Sequence, residues 1–192
     1  MFFTYLLLDD TNANEQGEWG EQIVDHKLRK PELSHLEKYI YRDLYIENTN
    51  GYIYQIDNLL ICEKGIFIIE TKMILGKIYA DKLSDKWTAV YENRQTPFAN
   101  PIKQNDAHVN AFRNIFGDDF DYHSLIVFPR TNKPKGLADN VINAKEIANY
   151  ILSFESDRKL SHEEMLFVDN ILQQMQKNKK ELRKKHKQQL GY

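Results

Sequence analysis

Residues 52–72 read YIYQIDNLLICEKGIFIIETK, and this stretch decides the fold. Two runs rich in Ile, Leu, Phe and Tyr flank Glu63-Lys64-Gly65, a pattern typical of two β-strands joined by a tight turn. Gly65 suits the left-handed position of such a turn because it has no Cβ. The sequence therefore predicts an antiparallel hairpin whose strands cover residues 52–62 and 65–72.

Three ionisable side chains stand within this apolar hairpin. Glu70 and Lys72 are two residues apart on the second strand, so both leave the same face, roughly 7 Å apart along the strand. A tight turn centred between residues 63 and 64 places Asp57 opposite Glu70 or within one residue of it. A slip of one residue would turn Asp57 to the other face of the sheet, and the sequence leaves this register open.

Two carboxylates that face each other among aliphatic side chains repel one another and are costly to desolvate, so they need a partner. A Mg²⁺ ion meets this need, because it binds one or two carboxylates and keeps water and substrate phosphate in its other positions. A lysine nearby would orient the attacking water or neutralise the charge that develops on the phosphate. The alternative is that Lys72 forms only a structural ion pair with Glu70 or Asp57.

Helix and strand signals surround the hairpin on both sides. They predict a helix over residues 15–30, a strand over 39–46, a strand pair over 76–90, a helix over 101–116, a strand over 124–128 and a helix over 144–152. Asn100 caps the second helix, and Gly117 ends it. Gly17 and Gly20 are poor helix formers inside the first helix and need another explanation. The succession of helices and strands favours a mixed α/β or α+β fold.

The C-terminal segment is the most basic part of the chain. Ser161-His-Glu-Glu164 matches a capping box and predicts one long last helix with an apolar face. Seven Lys or Arg residues and one acid follow between residues 177 and 187, although the chain as a whole has a net charge of only −2. This tail either binds nucleic-acid phosphates or is a solvated helix end, which the helix macrodipole favours. The cations assigned to nucleic-acid binding are Lys179, Lys180, Arg183, Lys184, Lys185 and Lys187.

The composition is that of a packed globular protein. Of the 192 residues, 42% are hydrophobic and 28% are charged, which excludes a disordered chain. The single cysteine, Cys62, excludes an intrachain disulfide and a Cys-based zinc site, and it favours a reducing, cytoplasmic location. The apolar segment Met1–Leu8 is too short to span a membrane and has no basic flank. We expect it to begin a strand or helix that packs on the core, and we expect no membrane partner.

In combination, these motifs resemble the nuclease-related domain (NERD) family of the PD-(D/E)XK nuclease-like superfamily. The resemblance covers about residues 15–130, in the family's order. It rests on Gly17-Glu-Trp-Gly-Glu21 with Val24 and Leu28, Gln55-Ile-Asp57, residues 65–72 with Gly76 and Ile78, Trp87, and Asn100-Pro101 with Gln104 and His108. Asn58 is a departure, since the family commonly has His there. On a strand Asn58 points away from Asp57, so we expect little catalytic consequence.

The resemblance implies a restriction-endonuclease-like core, in which helices flank a mixed central β-sheet, followed here by the long C-terminal helix. It also implies a metal site in which Asp57 and Glu70 are ligands and Glu21, from the first helix, is a further metal-binding acid. Lys72 would be the catalytic lysine. Gln104 resembles the helical glutamine that such nucleases use near the metal.

These implications lead to one functional prediction, the Mg²⁺- or Mn²⁺-dependent hydrolysis of DNA. The nuclease-related domain would cover residues 1–155, and residues 156–192 would form the C-terminal helix with its basic tail. His108, one helical turn after Gln104, would contact DNA or, in the interpretation we favour, be a hydrogen-bonded residue at the rim of the core. Two alternatives remain: a non-catalytic nucleic-acid-binding module, and a protein-interaction or regulatory domain on the same fold.

Overall fold

A central β-sheet with helices on both faces organises the molecule. The structure, a computed structural model, describes residues 10–130, 133–134 and 136–191, so the prediction for Met1–Leu8 lies outside the described residues. The strands within these ranges are β1 (Lys38–Glu47), β2 (Ile53–Cys62), β3 (Gly65–Thr71), β4 (Lys77–Tyr79), β5 (Lys86–Tyr91), β6 (Arg94–Ala99), β7 (Tyr122–Phe128) and β8 (Val141–Asn143). The helices are α1 (Asp10–Leu28), α2 (Pro101–Phe116), α3 (Ile147–Ser153), α4 (His162–Lys177) and α5 (Lys179–Gln189).

Strands β2 and β3 form the antiparallel hairpin that the sequence predicts. Gly65 closes the turn with φ +122°, and a Cβ at this position would clash with strand β7. The register pairs Asn58 with Ile69. Continued by one residue, the same register places Asp57 opposite Glu70, so both residues lie at the same level of the hairpin.

The five-stranded sheet has the order β1-β2-β3-β7-β8 and separates two apolar clusters. Its first three strands are antiparallel, whereas β3, β7 and β8 run parallel. Helices α1 and α3 cover one face, where Leu28 and Ile147 are buried, and helices α2 and α4 cover the other, where Phe112 and Val168 are buried. The predicted α+β, nuclease-like architecture is confirmed. None of the helices in the described ranges has the length and apolar character that crossing a bilayer requires.

A second, three-stranded sheet of β4, β5 and β6 packs beside β7. The buried ring of Trp87 anchors it, stacked at 6.5 Å from the ring of Phe128. The sequence predicts only a strand pair in this region, and β6 is additional. Its sequence, RQTPFA, does not alternate between apolar and polar residues and includes Pro97, which a strand tolerates at a sheet edge, so no strand pattern marks it. Strand β8 is also additional, since three residues are too few for a pattern.

The C-terminal segment forms two helices, so the prediction of one long helix is wrong. The predicted capping box at Ser161 and Glu164 is present and opens α4. Asn178, with φ −102° and ψ 15°, ends α4 and separates it from α5. Leu182, the only large aliphatic residue of α5, is thereby buried against Tyr45 of β1. Burial of one leucine contributes about 2 kcal/mol, which favours the break over a straight, solvated helix.

Candidate active site

Helix α1 lies close to strand β3, and Gly20 makes this approach possible. A Cβ at Gly20 would lie 3.1 Å from Thr71 Cγ2 and 3.2 Å from Met73 Cβ. This contact explains a glycine in a helix interior, where it costs about 1 kcal/mol relative to alanine. The fully buried Asn58 joins strand β2 to the same helix, because its Nδ2 donates to the Glu21 carbonyl oxygen at 3.3 Å. These contacts hold Glu21 against the sheet.

Strands β1 and β2 are distorted where Asp57 lies. Ile56 and Leu59 pack in the same apolar cluster, although residues three apart on a regular strand face opposite sides. In the partner strand, Asp43 has φ +50°, a left-handed conformation that is uncommon for a residue other than glycine. Thr71 donates its backbone N–H to Asp57 Oδ2 at 2.8 Å. This bond fixes the Asp57 carboxylate beside the end of β3.

Glu70, Lys72 and Gln104 form a chain of polar contacts between the hairpin and helix α2. Lys72 Nζ lies 2.6 Å from Glu70 Oε1 and donates to Gln104 Oε1 at 2.9 Å. The start of α2 is fixed by the predicted cap, Asn100, whose side chain accepts the Ile102 N–H at 3.0 Å. The structure thus brings together three of the residues that the resemblance assigns to catalysis.

Glu70 and His108 leave two buried polar atoms without a hydrogen bond to any described residue. Glu70 is 1% exposed, and its Oε2 accepts no hydrogen bond there. His108 Nδ1 is 3.6 Å away, which is too far for a hydrogen bond. Burial lowers the pKa of His108, against the opposing charge of Glu70, so the ring is neutral at neutral pH. His108 is therefore a buried neighbour of Glu70.

Desolvated carboxylates dominate the electrostatics of the site. Burial raises the pKa of the Asp57 carboxyl well above its ordinary value, and the charges of Glu70 and Glu21 raise it further. Burial and then the charge of Asp43 raise the pKa of Glu21 from 4.5 to about 7. Burial lowers the pKa of Lys72, but the charge and hydrogen bond of Glu70 more than offset this effect and leave it raised. Ionisation of Asp57 and Glu21 is therefore costly in the metal-free site, although the Lys72 ammonium lies beside Glu70.

Asp43 is a residue of this region that the sequence analysis missed. Its Oδ1 accepts from Gln55 Nε2 at 3.0 Å, and its Oδ2 lies 2.9 Å from Lys179 Nζ of helix α5. The charged pair Arg42-Asp43 interrupts a strand otherwise rich in Tyr, Ile and Leu. Such an interruption is typical of a strand distortion next to a functional site, and it is the signal that could have identified Asp43.

The cations predicted to bind nucleic acid divide between two sides of helix α5. Lys179 is paired with Asp43, and Lys185 Nζ lies 3.8 Å from Glu47 Oε2, so these two lysines face the sheet. The other four are exposed, and none is within ion-pair distance of a described carboxylate. We refer to these four as the basic ridge: Lys180, Arg183, Lys184 and Lys187.

The donor set fits Mg²⁺ or Mn²⁺ better than a metal that needs many protein ligands. No three His, Cys, Asp or Glu side chains in the described part of the chain come together in an arrangement that could hold a metal ion. A zinc site usually has three or four such ligands, whereas Mg²⁺ needs only one or two carboxylates besides water and phosphate. The unpaired Oε2 of Glu70 and the carboxylate of Asp57 are oxygen donors of that kind. Glu21 as a third ligand stays a prediction.

The raised pKa of Glu21 predicts that the metal-free protein loses stability as the pH rises. In the unfolded chain this carboxyl ionises near pH 4.5, but in the folded protein it ionises only near pH 7. The stabilisation is therefore fully present below pH 4.5 and is lost as the pH rises through about 7. A pKa difference of this size corresponds to about 3 kcal/mol.

The variant Glu21→Gln should remove this loss. In EDTA it should be more stable than the wild type at pH 8, and the difference should shrink toward pH 4.5. Urea unfolding at four pH values measures it, with the exposed Glu155→Gln as the control that should follow the wild type. If the free energy of unfolding changed with pH in the same way for Glu21→Gln and the wild type, Glu21 would not have the raised pKa that burial implies.

The fold and the carboxylate–lysine site define a nuclease-related α+β protein, and the chain belongs to the nuclease-related domain (NERD) family. The family model matches residues 16–129, which include all five residues predicted for catalysis and leave helices α3 to α5 outside. An uncharacterized protein of Bacillus anthracis is 25% identical over 176 residues, which cover 89% of this chain and 82% of that protein. No solved structure is significantly similar to the chain.

Proposed function

We propose that this protein is a Mg²⁺- or Mn²⁺-dependent nuclease that hydrolyses DNA phosphodiester bonds. One observation carries the proposal: Asp57 lies opposite the buried Glu70 when the hairpin register is continued by one residue, and Lys72 pairs with Glu70 beside it. Family membership supports a nuclease-related role. The proposal adds the reaction, the metal and the substrate.

Each side chain has a separate task in this mechanism. Asp57 and Glu70 would hold the ion, which supplies a Lewis acid for the phosphate and lowers the pKa of bound water. Lys72 presents its ammonium to the attacking water and to the charge that develops on the phosphate. Gln104 positions this ammonium, because its Oε1 accepts one of the three N–H groups at 2.9 Å.

The charges of the site argue against the structural alternative, in which Lys72 merely neutralises a buried acid. Lys72 pairs with only one oxygen of Glu70, and no described residue donates a hydrogen bond to Oε2. Asp57 is a second desolvated acid, and its pKa is raised despite the Lys72 charge. A structural ion pair would be satisfied without the second carboxylate. A bound cation would give Glu70 Oε2 and the Asp57 carboxylate the partner that Lys72 does not provide.

A metal titration against a mixture of DNA forms tests the proposal. Purified protein is incubated with labelled linear, branched and single-stranded DNA while Mg²⁺ or Mn²⁺ is raised from zero to 10 mM. We expect cleavage of at least one form that rises with the metal and vanishes in EDTA. Binding without cleavage at any metal concentration would favour the non-catalytic nucleic-acid-binding module instead.

Replacement of Lys72 should separate chemistry from metal binding. In Lys72→Met we expect single-turnover cleavage to slow by about 10²-fold, because the ammonium acts on the developing charge. The metal concentration for half-maximal rate should change much less, since Asp57 and Glu70 remain. The exposed Lys145→Met is the matched control and should cleave like the wild type. A wild-type rate in Lys72→Met would remove Lys72 from the mechanism.

A further inference from the structure

One side of helix α5 packs against the sheet, and the opposite side is exposed. On the packed side, Leu182 is buried, and Gln189 both accepts from the Ile53 N–H and donates to its carbonyl oxygen. His186 Nδ1 also lies 3.0 Å from that carbonyl oxygen. These contacts hold α5 on strands β1 and β2. The basic ridge lies on the opposite side and makes no such contacts.

The residues of the basic ridge follow a helical repeat. Positions 180, 183, 184 and 187 are spaced i, i+3, i+4 and i+7, so their side chains lie in one stripe. The stripe extends about 10 Å along the helix axis. Together with Gln188, the stripe lines a shallow pocket with a volume of about 360 Å³, and no carboxylate is among the lining residues. Four cations held this close repel one another unless anions lie between them.

The basic ridge begins next to the candidate active site. Lys179, the residue before the ridge, forms an ion pair with Asp43, and the charge of Asp43 raises the pKa of Glu21. Tyr45 follows Asp43 by two residues in β1. Burial raises the pKa of its hydroxyl, and the positive charge of Arg183 in the ridge opposes this rise. In the β1–β2 register Asp43 falls opposite Asp57, so a polyanion that follows the ridge past Lys179 approaches the candidate active site.

We infer that the basic ridge binds the phosphate backbone of a nucleic-acid duplex and directs it to the Asp57–Glu70 site. The inference rests on the proposed function and assigns it a binding surface outside the residues that the family model matches. A duplex carries one phosphate per 3.4 Å of axis on each strand, so about 10 Å of ridge can follow roughly three phosphates of one strand. An acidic protein partner fits less well, because the four ridge side chains include no aromatic or aliphatic anchor of the kind that protein interfaces contain.

The salt dependence of duplex binding tests this inference. Fluorescence anisotropy of a labelled 20-base-pair DNA is measured in EDTA between 50 and 300 mM KCl, so that no cleavage occurs. For Arg183→Gln/Lys184→Gln we expect the log–log slope to fall by about 1.8, since each lost phosphate contact removes about 0.9. This change in slope corresponds to roughly 60-fold weaker binding by the double variant at 0.1 M salt, when the electrostatic contribution vanishes near 1 M.

Two further variants make the result specific to the ridge. Lys145→Gln/Lys159→Gln changes the net charge equally at exposed positions outside α5 and should keep the wild-type slope. Arg183→Lys/Lys184→Arg keeps the ridge charges and should also keep it. Thermal unfolding confirms that each variant is folded.

An unchanged slope in Arg183→Gln/Lys184→Gln, or a wild type that binds no duplex, would overturn the inference. Because these measurements need no metal, they stay separate from the proposed catalysis. Intact salt-dependent binding with no Mg²⁺-dependent cleavage would instead contradict the proposed function alone.

Discussion

Replacing Glu70 by alanine is expected to abolish Mg²⁺-dependent DNA cleavage while duplex binding stays nearly intact. The carboxylate lies at the centre of the site, where one oxygen pairs with Lys72 and the other accepts no hydrogen bond from the described part of the chain. Without it the proposed ion loses a ligand and the ammonium loses its fixed position. We expect the rate to fall by at least about 10³-fold, as when a metal or an oxyanion contact is lost. Asp57→Ala should behave in the same way.

Cleavage and binding must be measured on the same preparations. Single-turnover cleavage in 5 mM Mg²⁺ gives the rate, and anisotropy in EDTA gives the affinity. Glu155→Ala, at an exposed position, serves as the control and should equal the wild type in both. If the wild type and Glu70→Ala show the same residual activity, that activity is a contaminant and the catalytic assignment fails.

The variant Asp57→Asn is expected to melt at a higher temperature than the wild type when no metal is present. Burial and the charges of Glu70 and Glu21 make ionisation of the Asp57 carboxyl costly in the metal-free wild type. Asparagine keeps an oxygen that can accept the Thr71 N–H bond and has no carboxyl group to ionise. A gain on the order of 1–2 kcal/mol would raise the melting temperature by roughly 2–8 °C for a chain of this size.

Added Mg²⁺ should reverse the order of these stabilities. An ion present at one hundred times its dissociation constant stabilises the wild type by about 2.7 kcal/mol, and it should stabilise Asp57→Asn much less. The structural alternative predicts the opposite result. There, Asp57 is a needed partner of Lys72, and its loss costs about 3–5 kcal/mol. Two melting curves for each variant, in EDTA and in 5 mM Mg²⁺, distinguish the two accounts.

Part of this architecture could be predicted because it depends on local patterns. The hairpin follows from two apolar runs and a glycine at the turn, and the start of α2 follows from Asn100 and Pro101. These features need no knowledge of distant parts of the chain. The sequence leaves the register open by one residue, and the two-residue turn of the structure places Asp57 opposite Glu70.

The rest depends on contacts between residues that are distant in sequence. The role of Asp43 requires the distortion of β1 and the position of helix α1, which no local pattern reveals. The break at Asn178 arises because Leu182 finds a buried position on the sheet, although the local sequence is a good helix former. The two sides of α5 likewise become distinct only once Lys179 meets Asp43.

The central claim is that Asp57 and Glu70 hold a divalent cation, and calorimetric titration with Mn²⁺ tests it most directly. The wild type should bind Mn²⁺ saturably at one dominant site at pH 7.5, and Mg²⁺ should compete for that site. The double variant Asp57→Asn/Glu70→Gln, which keeps side-chain shape, should lose the heat of binding. Equal Mn²⁺ binding by the wild type and the double variant, or no saturable binding by the wild type, would contradict the account.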